Sequence, residues 1–372
     1  MTIRRTILPL LSIFHLGGIR LHRFSLTARP ARDLRPRFGG LVSVAIAALL
    51  CLAVAAATPA QAPAVIRVGT LKLVGGAPLF WGADRGYFRQ EGLQVQFVYF
   101  GAAAPVATAT VTGDIDVGAT GITGTLFNLA AGGGKIYLVA DRGQERPGYP
   151  LNAVVVTKAA YASGVRSLRD LRGKRIGITT LGSTFHYQIA KLLERESMTL
   201  QDVQLVPLRE VNLVAEALRN GQIAAALLSP PWGAASEQEG WGKILFYAGD
   251  RIVNQVTGVF YGARLHNDHA LGDRFMRGYV RATRDYFDAC LHRPPRGTCG
   301  AIVALTARTI DQPEAAVAKS LPYIDRNARL YLLDLERQEA WYVQNGMASR
   351  YVPLDQFVDS SFVNDAVRSI GP

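Results

Sequence analysis

An α/β fold built on mostly parallel sheets is what this sequence predicts, and three observations carry the prediction. Nine short runs rich in apolar and β-branched residues succeed one another between residues 65 and 248, and helical stretches separate most of them. Glycine turn signals punctuate the alternation, and beyond Asp268 the chain turns to helix after helix. In chain order the strand-like runs are VIRVGTLKL, LQVQFVYF, IDVGAT, IYLVA, NAVVVTK, KRIGITT, VQLVPL, AAALLS and KILFYA. Gly86 and Gly92 close short turns after the first run, and Gly221 ends the helical stretch NLVAEALRNG. In LGDRFMRGYVRATRDYFDAC, residues Leu271, Phe275, Tyr279 and Val280 recur at helical spacing; PEAAVAKSL and DLERQEAWYVQNG follow as further helices.

A chain of 372 residues has room for two ordinary domains, and 49% hydrophobic with 19% charged residues describes a folded globular protein. The net charge of +12 is unevenly spread. Residues 1–40 hold eight arginines against Asp33 alone, so seven of the twelve net positive charges lie there and five are left for everything else. That distribution removes the case for nucleic-acid binding, and no basic stripe interleaved with aromatics restores it. The basic start is followed by GLVSVAIAALLCLAVAAATPAQA, which has the apolar run and small-residue tail of an export signal. Residues 1–62 are therefore expected to be a signal peptide with an extended basic n-region. Cleavage is expected after Ala57 or Ala60, and the mature protein in the periplasm. Arg4-Arg5 permits twin-arginine as well as general export, and an uncleaved anchor is the alternative. Cys51 follows Leu50, where a lipoprotein signal wants a small residue, so lipid attachment is not expected.

Two cysteines remain, Cys290 and Cys299, on either side of LHRPPRGT. In an oxidising compartment their spacing predicts a local disulfide contributing about 2 kcal/mol. His292 lies nearby, but no fourth ligand at suitable spacing makes a metal site, and neither metal nor cofactor is expected. Motifs of catalysis are also missing. Gly118, Gly121 and Gly124 lack dinucleotide spacing, Gly134-Lys135 is followed by Ile136 where a phosphate-binding loop needs Ser or Thr, and there is no G-x-S-x-G elbow.

TTLGSTFHYQIAKLLERE, residues 179–196, reads as a strand end, a turn and a helix. Ser183 fits the N-cap, with Ile189, Leu192 and Leu193 on one face of the helix behind it. The amides of Thr184 and Phe185 then lack helical partners and face whatever the turn faces, either solvent or an anion.

APLFWGADRGYFRQEGLQVQFVYFG, VTGDIDVGATG, SLRDLRGKRIGITTLGSTFHYQIAKLLE, EALRNGQIAAALLSPPW and YVPLDQFVDSSFVNDAV together resemble the solute-binding proteins of nitrate, sulfonate and taurine ABC transporters, the NMT1/THI5-like family. The resemblance covers nearly everything after Val65. It implies a two-lobed periplasmic-binding-protein fold of the Venus-flytrap type II class, with two mixed, mostly parallel sheets and C-terminal helices. The first lobe would span residues 65–151 and 250–372, and the second residues 152–249. A small anionic solute would be held between them and delivered to a membrane permease and its ATPase, with the binding protein a monomer and not an enzyme. A thiamin-pyrimidine precursor, an aromatic carboxylate, or an enzyme or sensor on the same fold are the alternatives.

Strand-to-helix turns should face the cleft, because ligands of open α/β sheets sit beyond the carboxyl ends of the strands. The candidate contacts are Val74, Gly75, Pro78 and Phe80 in the first turn, Gly101 and Ala102 in the second, and Thr120 and Gly121 in the third. Across the cleft stand Ser183, Thr184 and His186, then Ser229 and Trp232, and Thr257 completes the set. The glycines equally suit plain tight turns, and Thr120 a helix cap. Trp232 is either a lid or core, His186 either a contact or a surface residue. Phe80, Trp232 and Tyr261 offer stacking if the ligand is aromatic, with Lys72 and His186 the only evident cations near these turns.

Overall fold

The structure is a computed structural model that describes residues 62–372; the expected export signal, its cleavage sites and Cys51 lie outside the described residues. Among those described, no helix is long and apolar enough to cross a membrane.

Ten strands form two five-stranded sheets. β1 (Ala64–Thr70), β2 (Leu93–Tyr99), β3 (Val117–Gly121), β4 (Ile136–Glu145) and β10 (Asn254–Gly262) make the first, in the order β2-β1-β3-β10-β4. β5 (Ala153–Thr157), β6 (Arg175–Ile178), β7 (Gln204–Pro207), β8 (Ala225–Leu228) and β9 (Gly242–Tyr247) make the second, in the order β7-β6-β8-β5-β9. In each sheet four strands run one way and one is reversed: β10 is antiparallel to β3 and β4, and β5 to β8 and β9. Both reversed strands come directly after the chain has passed from one sheet to the other. β4, at the edge of its sheet, leads into β5; β9, at the edge of the other, leads into β10. Two crossings are thus enough to build a pair of mixed, mostly parallel sheets, in agreement with the two-lobed architecture.

The nine strand-like runs all become strands, and the tenth, β10, is the one that the sequence reading passes over. Its segment NQVTGVFYG opens on two amides and is interrupted by Gly258, so it has no clean alternation. Its strand character comes from filling the gap between β3 and β4.

The helices that position the site are α1 (Ala77–Asp84), α2 (Ala103–Thr112), α3 (Gly124–Ala131), α4 (Thr184–Arg195), α5 (Val211–Arg219) and α6 (Trp232–Gln238). Against one face of the first sheet pack α7 (His269–Cys290), α8 (Cys299–Ile310) and α10 (Ser361–Ile370), while a further helix, α9 (Leu332–Gln344), packs on β10, α3 and α4. Cys290, the last residue of α7, is disulfide-bonded to Cys299, the first of α8, so the loop between the two helices is clipped at its base. Phe275, Tyr279 and Val280 on α7 are fully buried, as their spacing requires. Tyr261 is buried with them. Its hydroxyl donates to Gly272 O at 2.8 Å and its ring meets Phe275 and Phe362 edge-on, which removes it from any stacking role toward a ligand. A second apolar cluster runs from Phe127 on α3 through Tyr342 on α9 to Tyr187, Ile189 and Leu192 on α4, and so joins elements of both sheets.

Candidate functional site

The turn into α4 is built as its sequence requires. Gly182 has a φ of 75°, a conformation that costs glycine little, and Ser183 Oγ accepts from His186 N at 3.3 Å as the N-cap. The amides of Thr184 and Phe185 donate to no protein acceptor among the described residues. His186 is only 3% exposed; its Nδ1 accepts from Gly182 N at 3.0 Å and its ring stands edge-on to Trp341. Burial lowers its pKa, which favours the neutral ring that this hydrogen bond needs. His186 thus stabilises the turn from behind.

In front of the turn lies a cavity of about 60 Å³. It is closed from both sides. Thr184 Oγ1 donates to Ile122 O at 3.1 Å, Gly124 N to Gly182 O at 2.9 Å, Val211 N to Gly101 O at 3.1 Å and Val74 N to Pro230 O at 3.3 Å. A Cβ on Gly121 would lie 2.5 Å from Thr184 Oγ1, so only glycine permits this approach.

Of the residues lining the cavity, Arg142 alone carries a charge. It is 4% exposed, and no carboxylate lies within ion-pair distance of it among the described residues. Its Nη2 donates to Thr70 Oγ1 at 3.0 Å, while Nε has no partner. Burial pulls its pKa down to about 10, which leaves it protonated at neutral pH. The adjacent Asp141 does not neutralise it by contact. That carboxylate accepts from Gly143 N at 2.8 Å, Gln255 Nε2 at 2.6 Å and Asp325 N at 2.7 Å, and burial raises its pKa to about 7. A buried guanidinium without a contacting counter-charge is costly, so this cavity favours an anion.

Hydroxyls and amides surround the guanidinium. Thr120, Thr179, Ser183, Thr184, Ser229 and Thr257 all line the cavity, and the Ser183 hydroxyl, having accepted from His186 N, keeps its proton to donate inward. Ser229 Oγ donates to Asn152 Oδ1 at 2.8 Å, Asn152 Nδ2 to Gln188 Oε1 at 2.8 Å, and Gln188 Nε2 to Glu145 Oε1 at 3.0 Å and Asn254 Oδ1 at 3.2 Å. This buried chain ties the cavity wall to residues beside both crossings. Glu145 Oε2 has no partner, and burial pushes the Glu145 pKa up to about 8.

Of the residues expected from sequence, Thr120, Gly121, Ser183, Thr184, Ser229 and Thr257 are brought together around the cavity. The others lie elsewhere. Gly75 backs Arg142, whose Nη1 would be 3.4 Å from a Cβ there. Phe80 and Pro78 are buried in α1, with Phe80 edge-on to Phe97 at 5.1 Å. Val74 is core, and Ala102 is the N-cap residue of α2. Gly101 and Trp232 face a neighbouring recess together with Lys72, whose ammonium sits over Tyr99 at 5.5 Å.

Arg142, Asn152 and Thr179 are the cavity's polar side chains that sequence reasoning missed, along with the apolar Leu71, Leu73, Ala103, Phe185, Val211 and Val256. For Arg142 a signal existed. The strand-like run IYLVA ends in the sequence at Ala140, yet β4 continues through DRGQE to Glu145 with every residue buried. Three ionisable side chains prolonging an apolar strand at its carboxyl end mark either a loop or a site, and here one of them, Arg142, lines the cavity.

A family model described as NMT1/THI5 like matches residues 75–288. An Escherichia coli (strain K12) protein named "Putative aliphatic sulfonates-binding protein" is 26% identical over 325 residues, covering 85% of this chain and 95% of that one. The alkanesulfonate-binding protein SsuA from Xanthomonas axonopodis pv. citri, solved bound to MOPS, superposes with a TM-score of 0.64 at 20% identity, covering 80% of this chain and 98% of that one. The periplasmic nitrate-binding protein NrtA from Synechocystis PCC 6803 superposes with a TM-score of 0.65 at 12% identity, covering 83% of this chain and 89% of that one.

Proposed function

This chain belongs to the NMT1/THI5-like family, and from that premise we propose that it is the solute-binding component of an ABC importer, holding a compact oxyanion against Arg142. The buried guanidinium that lines the cavity without a contacting counter-charge is the observation that carries the reading. The solute is a sulfonate, nitrate or related small organic acid. Its oxygens take the free N–H groups of Arg142, the Ser183 hydroxyl and the amides of Thr184 and Phe185, each a charge-assisted hydrogen bond. Residues 65–151 and 250–372 act as one lobe and residues 152–249 as the other, hinged at the two crossings.

Size narrows the class. At roughly 10–15 Å³ per water, a cavity of about 60 Å³ takes four to six water-sized groups, enough for nitrate or a sulfonate head with a short tail. A benzene ring is documented in a cavity of about 150 Å³, so aromatic carboxylates and pyrimidines do not suit a cavity of this size. After export and removal of the leader the protein serves in the periplasm as a monomer, passing its solute to a permease driven by an ATPase.

Calorimetric titration with nitrate and with alkanesulfonates of increasing chain length tests the reading. Affinity is expected for the smallest members and is expected to fall as the chain grows. Tight binding of an uncharged molecule, unchanged in Arg142→Gln, would sink it.

A further inference from the structure

Hydrogen bonds have a direction, and at one part of the cavity wall that direction is set by groups outside the cavity. Asn254 Nδ2 donates to the backbone carbonyl of Gln255 at 3.2 Å, so Asn254 Oδ1 is left to accept, and it accepts from Gln188 Nε2 at 3.2 Å. Gln188 Nε2 also donates to Glu145 Oε1 at 3.0 Å, an oxygen that takes the backbone N–H of Asn152 at 3.2 Å as well. With two donors on Oε1, any proton that Glu145 holds sits on Oε2, and Oε1 stays an acceptor. Gln188 therefore turns Oε1 toward Asn152 Nδ2, and Asn152 turns Oδ1 toward Ser229. The three amides are buried, and reversing any one of them would set two acceptors face to face.

The consequence falls on Ser229. Its one hydroxyl proton goes to Asn152 Oδ1 at 2.8 Å and no protein donor reaches its Oγ among the described residues, so this cavity-lining hydroxyl offers lone pairs only. Thr184 is in the same state, because its Oγ1 donates to Ile122 O. Arg142, the Ser183 hydroxyl and the first amides of α4 offer donors instead. Thr120, Thr179 and Thr257 are under no such constraint and match either kind of group. The cavity thus has a donor pole and an acceptor pole. An anionic oxygen set against Ser229 would meet lone pairs, and a methyl group there would leave the acceptor unpaired.

We propose that the cavity selects a small oxyanion that also carries a neutral hydroxyl, with the anionic head on Arg142 and the hydroxyl donating to Ser229 Oγ. Ser229 is the specificity-determining residue, held as an acceptor by the Asn152 and Gln188 amides behind it. The donor is a hydroxyl and not an ammonium. In a cavity of about 60 Å³ a cation would lie close to a guanidinium that has no contacting counter-charge, and like charges repel strongly where the dielectric is low. Nitrate, with acceptors only, fills the donor pole and leaves the other unmatched. The selection rests on the cavity being the solute site.

Two sets of near-isosteres that differ in one group test the selection by calorimetry on the full-length protein. They are glycolate, propionate and glycine, and isethionate, propane-1-sulfonate and taurine, in which a hydroxyl, a methyl and an ammonium exchange places. In whichever set binds, the hydroxyl member is expected to bind roughly tenfold tighter or more than each of the other two. In Ser229→Ala the preference for hydroxyl over methyl is expected to shrink to about threefold or less, a ratio that a general loss of stability would not move. Equal or tighter binding of the methyl member overturns the acceptor pole while leaving the solute site standing, and equal or tighter binding of the ammonium member overturns the neutral donor. A preference kept in Ser229→Ala removes Ser229 from the role. If no member of either set binds, the solute-site reading falls and the selection falls with it.

Discussion

The cavity at the first turn of α4 and a groove between α4 and α9, lined by Lys191, Arg195, Arg251 and Arg337, share one helix and treat charge in opposite ways. The cavity, about 60 Å³, holds a single guanidinium that is 4% exposed and has no counter-ion; the groove, about 720 Å³, displays four cations at the surface, two of them paired. One buried charge dominates where four exposed ones are screened, because attraction grows as the effective dielectric falls and surface pairs are worth roughly 0–1 kcal/mol. On the proposed reading selectivity for an anion belongs to the cavity, whereas the groove offers only area and salt-sensitive attraction.

Removing the buried charge has the largest expected effect. Arg142→Gln should weaken binding of the cavity anion by about 2–5 kcal/mol, roughly thirty-fold to several thousand-fold. The same change should leave the unloaded protein as stable as before or more so, since it deletes a buried charge without a partner. Titration and thermal melts with and without solute separate the two signs. If the unloaded variant is strongly destabilised, Arg142 is structural and the contrast with the groove collapses.

Ser183→Ala comes next. Loss of one hydrogen bond to a charged group should cost about 1.5–3 kcal/mol of binding, on the order of ten-fold to a hundred-fold. Loss of the N-cap separately costs about 1 kcal/mol of stability, visible in melts without solute. An affinity unchanged in this variant would place the anion away from the α4 turn.

A further expectation, read in stability and not in affinity, concerns Glu145, three residues along β4 from Arg142. Its folded-state pKa, about 8, lies above its ordinary value of 4.5, so the native state keeps a proton that the unfolded chain releases. Its contribution is complete below the ordinary value and is lost as pH rises toward 8. Asp141, raised to about 7, acts in the same direction. Thermal stability should therefore decline between about pH 5 and 8, and Glu145→Gln should flatten that decline without abolishing it. A decline of equal slope in the variant would show that Glu145 is ionised in the native protein.

Much of the architecture was legible because it rests on local patterns. β1 through β9 announce themselves as β-rich runs between turn signals, and α7 as a row of apolar residues at helical spacing. The Ser183 turn was legible for the same reason: a cap, a glycine and an amphipathic helix lie within a few residues. β10 was not, since its apolar and polar residues alternate poorly and its place is fixed by two strands far away in sequence. Trp232 and Phe80 look like ligand contacts from their position after strands, yet packing decides which way such rings turn.

The sequence by itself determined the class of fold, the order of the elements and one wall of the cavity, because hydrophobic periodicity, caps and turn residues act over a few neighbours. Only the tertiary structure decided that Arg142 faces the cavity without a counter-ion, that His186 supports the turn from behind, and that Arg195 and Arg337 stand together across a groove. Each of these depends on which distant side chains come near, and burial then sets what a charge is worth.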